Sequence, residues 1–309
     1  MKVISLFAGI GGLDQGFIDN GFDVVWANDF DKYAVETYKA NYENPIIHGD
    51  INELNLNDIP CADVIIGGFP CQPFSMMGGL RGFEDTRGTL FFRIVEIIKN
   101  QQERHGLPKV VVLENVRNLK LHDKGNTFKV IKKALENLGY IVYDEVLNSA
   151  DFGVPQTRNR TFLVCFANNN IEFEFPDKIQ LSISLQDILE KNVDSKYFLS
   201  DKILPTILSN GSGKYKAKSE IDLRIARPLC ATMGKMHRAC QDNYVTQRNK
   251  IRRLTPRECA RLQGFSDDFK IPVSDTQAYK QFGNAVTVNV SRAVAKRIKE
   301  VLKENGEWI

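Results

Sequence analysis

The chain has 309 residues, 41 Lys+Arg against 38 Asp+Glu (formal net charge +3), 43% hydrophobic and 26% charged residues, a balance that excludes wholesale disorder and allows one large domain or two unequal ones. No apolar run approaches the roughly 20 residues needed to span a bilayer, and the start, MKVISLFAGIGG, turns glycine-rich too soon for a signal peptide. Six cysteines without a C-x-x-C pair exclude a standard zinc ribbon, give little support to a disulfide framework and leave a reducing cytoplasm as the expected compartment.

Residues 3–7 (VISLF) read as a buried strand that runs into a glycine turn, Ala8–Gly12, and a helix from Leu13. Residues 22–28 (FDVVWAN) form a second strand, with a helix over KYAVETYKANY after it. DVIIG (63–67) and KVVVL (109–113) are further strands separated by a helical stretch, Thr89–Lys99. Asn126–Leu138 has helical spacing and ends at Gly139, and FLVCF (162–166) closes the series. Strands that are nearly all apolar and alternate with helices predict an α/β fold, Rossmann-like, with a mostly parallel sheet covered on both faces. Ligands bind such sheets at the carboxyl ends of the strands.

From about Asn168 to Arg248 the periodicity weakens, and NGSGKYKAKSE (210–220) reads as an exposed, mobile loop. TPRECARLQGF (255–265) predicts a helix with Thr255 as N-cap and Pro256 at its first position. Asn284 is expected to cap a last helix over 285–303. Charge is divided unevenly. Residues 1–60 hold three basic residues against ten acidic ones, whereas 224–261 hold ten basic residues against Asp242 and Glu258. Such a stripe is either the footprint of a polyanion partner or a solvated helix face.

The chemistry concentrates at strand ends. Phe7-Ala8-Gly9-Ile10-Gly11-Gly12 leaves the first strand and opens a helix, and Asp29 ends the second strand 20 residues after Gly9, where an acid commonly takes ribose hydroxyls. That pattern alone fits many nucleotide folds, including a nicotinamide-dependent oxidoreductase. More specific is Gly67-Gly68-Phe69-Pro70-Cys71-Gln72-Pro73-Phe74-Ser75, which sets a cysteine in a loop at a strand end, where it is exposed rather than packed. A third strand delivers Glu114-Asn115-Val116 to the same edge.

Together with RGTLFF (87–92), Gln156-Thr157-Arg158-Asn159-Arg160, RRLTPRECARLQGF (252–265) and QFGNAV (281–286), these segments resemble, in order, the DNA (cytosine-5)-methyltransferases of the compact bacterial restriction–modification type. The resemblance implies a catalytic domain over 1–171 and 251–309, with the last helix returning to it, and a target-recognition domain over 172–250, within which about 175–245 carries no clear family signature. Many relatives carry an acid where Ser5 stands.

The same resemblance implies that Cys71 is the nucleophile that adds to carbon 6 of cytosine, that Glu114 engages ring N3, that Arg160 donates to O2, and that Arg158 supports the site or binds phosphate. It implies a site for S-adenosylmethionine, left as S-adenosylhomocysteine, on Phe7, Ala8, Gly9, Gly11, Gly12, Asp29, Phe30, Asp50, Ile51, Phe69, Pro70, Leu90, Phe265, Asn284 and Val286, and no metal. Phe7 and Phe30 read equally well as core aromatics. Double-stranded DNA is the implied partner, with the target base flipped out of the duplex. Ser75, Arg81, Arg87, Gln156, Arg227, Thr232, Lys235 and Arg238 are candidate contacts to it, Met77 a candidate wedge, and Met76–Thr89 resembles the family's closing loop. A monomer in the bacterial cytoplasm, with or without a cognate restriction endonuclease, is expected. The rival readings are a transfer-RNA enzyme of the same family, whose usual Cys-Phe-Thr is here Cys230-Ala231-Thr232, and a binding module that has lost catalysis.

Overall fold

The computed structural model describes residues 1–70, 90–210, 218–235 and 239–308. The chain forms two compact units. Unit 1 comprises Met1–Leu147, Asn159–Asp177 and Ser291–Ile309, and unit 2 comprises Asn148–Arg158 and Lys178–Val290. Residues 251–290 therefore group with unit 2, and the chain rejoins unit 1 only at Ser291.

Unit 1 is built on a seven-stranded sheet. Its strands are β1 (Lys2–Leu6), β2 (Asp23–Asp29), β3 (Ile46–His48), β4 (Val64–Gly68), β5 (Val110–Val116), β6 (Ile141–Asn148) and β7 (Asn159–Phe166), in the order β3-β2-β1-β4-β5-β7-β6. The pairs β1–β2, β1–β4, β2–β3 and β4–β5 are parallel, whereas β7 runs antiparallel to β5. Chain order reverses between β1 and β4, so the crevice expected at a topological switch point lies at the carboxyl ends of these two strands. Val3, Ile4 and Leu6 of β1 and Val110–Leu113 of β5 are all buried, as a sheet covered on both faces requires.

Helices α1 (Gly12–Ile18), α2 (Lys32–Asn41), α3 (Leu90–His105) and α4 (Asn126–Asn137) follow β1, precede β3, precede β5 and precede β6. Phe91, Ile94, Ile97 and Ile98 of α3 and Ile131 and Leu135 of α4 pack on Ile4, Leu6, Ile65, Val111 and Leu113. Each of these apolar side chains contributes about 1.5–3 kcal/mol by leaving water. Asp31 caps α2 by accepting from the backbone N–H groups of Tyr33 and Ala34. α4 ends where Gly139 adopts φ 102°.

Unit 2 contains α5 (Leu204–Ile207), a hairpin of β8 (Tyr244–Gln247) and β9 (Lys250–Arg253), α6 (Pro256–Leu262) and α7 (Asp275–Asn284). Arg248 and Asn249 turn the hairpin with φ 52° and 57°, the left-handed pair that a two-residue loop needs. Thr255 and Glu258 form a reciprocal capping box on α6. Asn284 does not cap the last helix. It is the final residue of α7, Ala285 then turns extended (φ −59°, ψ 146°), and α8 (Val288–Glu304) begins after a three-residue break. From Ser291 onward α8 is part of unit 1. There Gly16 of α1 allows the close approach, since a Cβ on it would lie 2.4 Å from Arg292 N, and Ser291 Oγ donates to Leu13 O at 2.5 Å.

Candidate active site

β1 ends abruptly because Phe7 leaves the strand in a left-handed conformation, φ 55°, which is costly for a residue with a Cβ. Gly9 (φ 57°) and Gly11 (φ 81°) continue the turn into α1. Gly9 N donates to Asp29 Oδ2 at 2.8 Å, and Asp31 N donates to Asp29 Oδ1 at 2.8 Å, so the acid at the end of β2 holds the glycine turn. A carboxylate has about four acceptor sites, so holding the turn is compatible with accepting from a diol. A Cβ on Gly9 would meet nothing within 4 Å, which leaves open space above the turn.

Beside this space Phe30 is 70% exposed. That settles one choice left open by the sequence: Phe30 is not a core aromatic but a bare ring at the sheet's carboxyl edge. Phe7, by contrast, is partly buried against the main core. Asp50 is exposed and Ile51 buried on the segment after β3. That segment is fixed by hydrogen bonds that no motif discloses. Asn28 Nδ2 donates to Ile47 O and Gly49 O, both at 3.0 Å, and Arg93 of α3 donates from Nε to Ile51 O at 3.0 Å.

Under the turn lies a second feature that the motifs do not disclose. Asp14 is fully buried, accepting from Ser5 Oγ at 2.8 Å and from Tyr38 OH at 2.6 Å. Burial pushes its carboxyl up from 3.8 to about 6, against the lowering effect of the Tyr38 and Ser5 hydrogen bonds. Tyr42 OH donates to Gly11 O at 3.1 Å, and a Cβ on Gly11 would fall 2.4 Å from the Tyr42 ring. An acid beside a small polar residue is detectable in LFAGIGGLD only once the fold is known.

At β4 and β5 the register sets Gly68 opposite Glu114. Asn115, buried, donates from Nδ2 to Phe69 O at 2.8 Å, anchoring the chain just before Pro70. Phe69 is buried and Pro70 exposed, and Leu90, half-buried, opens α3. Cys71, Ser75, Arg81, Arg87, Met77 with the loop Met76–Thr89, residues 211–217 of the 210–220 loop, and Arg238 lie outside the described residues.

The antiparallel course of β7 brings Arg160 to the same edge, opposite Val116. Its Nε lies 3.0 Å from Glu114 Oε1, an ion pair with both side chains largely buried. A mostly buried carboxylate and guanidinium at the end of an otherwise apolar strand are expensive to place there by chance.

The remaining expected residues belong to unit 2, and several do other work there. Arg158 is 1% exposed and donates from its two terminal nitrogens to the carbonyls of Leu229, Gly283 and Ala285 at 2.8–2.9 Å. It is a clamp on main chain rather than a phosphate contact. Gln156, expected at the DNA, is wholly buried and donates to Leu262 O while accepting from Leu229 N. A buried amide must spend both ends internally, and these do. Arg227 is paired with Glu220 at 3.1 Å. Phe265 sits in an aromatic cluster with Phe269 and Phe282, Val286 is buried, and Asn284, Thr232 and Lys235 are exposed. A Cβ on Gly283 would lie 2.3 Å from Ala231 N, so α7 touches the Cys230–Thr232 segment backbone to backbone.

The basic stripe over 224–261 is only in part a free basic face: Arg224, Lys235, Arg248 and Lys250 are exposed, whereas others are engaged internally. Arg252 is buried on Glu258, Arg261 is paired with Asp267 at 2.7 Å, and Arg257 donates to Ser266 O and Phe269 O. Among the described residues no cluster of His, Cys, Asp and Glu is arranged to hold a metal, and no helix is long and apolar enough to cross a membrane.

Comparison with known proteins agrees with this geometry. A family described as C-5 cytosine-specific DNA methylase matches residues 1–300. The Type II methyltransferase M.NlaX of Neisseria lactamica is 43% identical over 97% of this chain and 97% of its own length. M.HhaI of Haemophilus parahaemolyticus is 38% identical over 96% and 94%. Among solved structures, the S. pombe Dnmt2 methyltransferase superposes with a TM-score of 0.82 at 21% identity, covering 99% of both chains, a likeness of fold. With motifs, sheet order and relatives in agreement over nearly its full length, the chain belongs to the C-5 cytosine-specific DNA methylases.

Proposed function

We propose that this DNA (cytosine-5)-methyltransferase is the modification enzyme of a restriction–modification system, acting as a monomer on one cytosine within a short duplex sequence. The observation that carries the reading is the Glu114–Arg160 contact at the edge where β4 leads into Phe69-Pro70 and then Cys71. N3 and O2 are neighbouring polar atoms on one edge of cytosine, and an acid touching a guanidinium matches them. The Type II names of the relatives support the biological setting.

Carbon 5 of cytosine is a poor nucleophile, and a base inside a duplex is out of reach. The target therefore flips into the pocket, at a cost of a few kcal/mol. The Cys71 thiolate adds to carbon 6, and its electron pair moves through the ring towards carbon 5. Glu114, once it has taken up a proton from solvent, hydrogen-bonds N3 and shares that proton with it, and Arg160 donates to O2, so the charge that develops on that edge is held. S-adenosylmethionine, when bound, supplies an electrophilic methyl group. The carbon-5 proton then leaves to a base such as water, and the thiolate is eliminated from carbon 6, restoring the aromatic ring.

The residues of unit 1 fit the adenosine part of that donor. Phe30 offers a bare ring, Asp29 an acid for a diol, and Gly9 open space above a left-handed turn. Asn115 positions the Phe69-Pro70 segment. Arg158 and Gln156 act as positioning residues within unit 2, and Thr232 and Lys235 remain exposed candidates for DNA contact.

Two measurements test this reading. Bisulfite sequencing of host DNA, with and without the protein, should show protected cytosines at one short recurring sequence. A duplex with 5-fluorocytosine at that position should trap a covalent adduct with the wild type and none with Cys71→Ser. Protection without an adduct would remove carbon-6 addition, and methylation of transfer RNA alone would remove DNA as the substrate.

A further inference from the structure

With Arg227, Arg252, Arg257 and Arg261 engaged internally, the 224–261 stripe keeps Arg224, Lys235, Arg248 and Lys250 exposed, and a second group of exposed cations lies outside it. The segment 117–133, which runs from the end of β5 through α4, holds six basic residues against one acid, Asp123. Two of the six, Lys120 and Lys132, share Asp144 as an ion-pair partner at 2.6 and 3.3 Å. The other four, Arg117, Lys124, Lys129 and Lys133, are exposed.

Their placement is ordered. Arg117 comes three residues after Glu114, directly off the carboxyl edge of the sheet. Thr127, Ile131 and Leu135 are the buried face of α4, so Lys129 and Lys133, each two positions on from a buried residue, point away from the core. They are one helical turn apart, about 6 Å along the axis. Between Arg117 and the helix, Asp123 and Lys124 are both left-handed (φ 49° and 53°) ahead of Gly125 (φ 87°). Two residues with a Cβ in that region cost roughly 1–2 kcal/mol each, and strain of this kind concentrates at functional segments. His122 Nδ1, within hydrogen-bond distance of Thr127 Oγ1 at 2.7 Å, ties the strained loop to the helix. The one acid on the outward face, Glu136, lies at its far end.

We infer that Arg117, Lys124, Lys129 and Lys133 form a second contact surface of this chain, for the phosphates of duplex DNA flanking the target site. The inference rests on the proposed DNA substrate. The surface touches no base edge, so it adds affinity and orientation without sequence information.

The test uses the full chain and an unmethylated mixed-sequence duplex of roughly 40 base pairs, with affinity followed against salt. Each lost phosphate contact makes the logarithmic salt slope shallower by about 0.9, so K129Q/K133Q is expected to lower it by about 1.8 and K124N/K129Q/K133Q by about 2.7. K129R/K133R should retain the wild-type slope, and calorimetric binding of S-adenosylmethionine should be unchanged in every variant, which reports on folding. An unchanged slope in the triple variant, while the wild type methylates DNA, would overturn this surface alone. A slope lost on transfer RNA but not on the duplex would also overturn it. Wild-type protein that neither methylates DNA nor binds it salt-dependently would overturn the functional reading, and this surface with it.

Discussion

Replacing Asp14 by Asn should stabilise the protein at neutral pH, although it alters a fully buried and fully hydrogen-bonded side chain. Burial lifts the Asp14 carboxyl from 3.8 to about 6 in the folded chain. Between those values the folded state holds a proton that the unfolded state has released, so stability falls as pH rises, and the loss is complete above about pH 6. At about 1.4 kcal/mol for each tenfold change, ionising the buried acid costs about 3 kcal/mol. Asn carries no charge, its Oδ1 can accept from Tyr38 OH, and its Nδ2 can donate to Ser5 Oγ, so one hydrogen bond to each partner is kept, with the Ser5 bond reversed. Urea unfolding of wild type and Asp14→Asn at several pH values from 4 to 8 should give curves that converge near pH 4 and separate in favour of Asn by up to about 3 kcal/mol above pH 6. The difference curve isolates Asp14 from Asp242, whose carboxyl burial also raises to about 6. A variant less stable than wild type at pH 7, or a gap independent of pH, would refute the reasoning.

Three further outcomes are expected. Phe30→Ala removes a ring that is 70% exposed, so stability should change by less than about 0.5 kcal/mol, while the KM for S-adenosylmethionine rises roughly 5- to 100-fold, the worth of one base–aromatic stack. Asn115→Ala strands the buried carbonyl of Phe69, which should cost about 1–3 kcal/mol and lower kcat with DNA affinity nearly unchanged; a kcat equal to wild type would remove its positioning role. Gly283→Ala improves helix propensity by about 1 kcal/mol but drives a methyl to 2.3 Å from the Ala231 backbone, so denaturation should show a net loss of about 1–2 kcal/mol.

Much of unit 1 is legible in the sequence because its strands are short, apolar and punctuated by glycine, and because Glu114 interrupts an apolar run that has no other reason to carry an acid. What escapes is whatever depends on partners distant in sequence. The direction of β7 is not written in NRTFLVCF, since an apolar strand reads alike either way. β6 escapes because IVYDEVLN mixes polar and apolar residues without clean alternation. α7 escapes because DTQAYKQFGN is polar and contains a glycine near its end. The family resemblance sets Gln156 at the DNA and leaves Arg158 to support the site or bind phosphate, whereas here they satisfy main-chain groups that only the folded unit 2 brings near them. Charge counting fails in the same way. It tallies Arg252 and Arg261 without the acids that the fold sets against them, and passes over 117–133, where four of six basic residues are exposed.

The antiparallel pairing of β5 with β7 also governs how this scaffold can vary. Glu114 and Arg160 are 46 residues apart in the chain, yet their distance is set by a ladder that aligns Val116 with Arg160 and Val110 with Phe166. Everything between the two strands is a closed excursion whose length does not enter that alignment. Loop closure costs only about 0.6 kcal/mol for each doubling of length, so added residues between α4 and β6 leave acid and guanidinium in contact. A single-residue slip within the ladder, by contrast, turns Arg160 to the opposite face of the sheet and parts the pair. Length can drift in the connection, whereas a frame error in the strand is lethal to the chemistry.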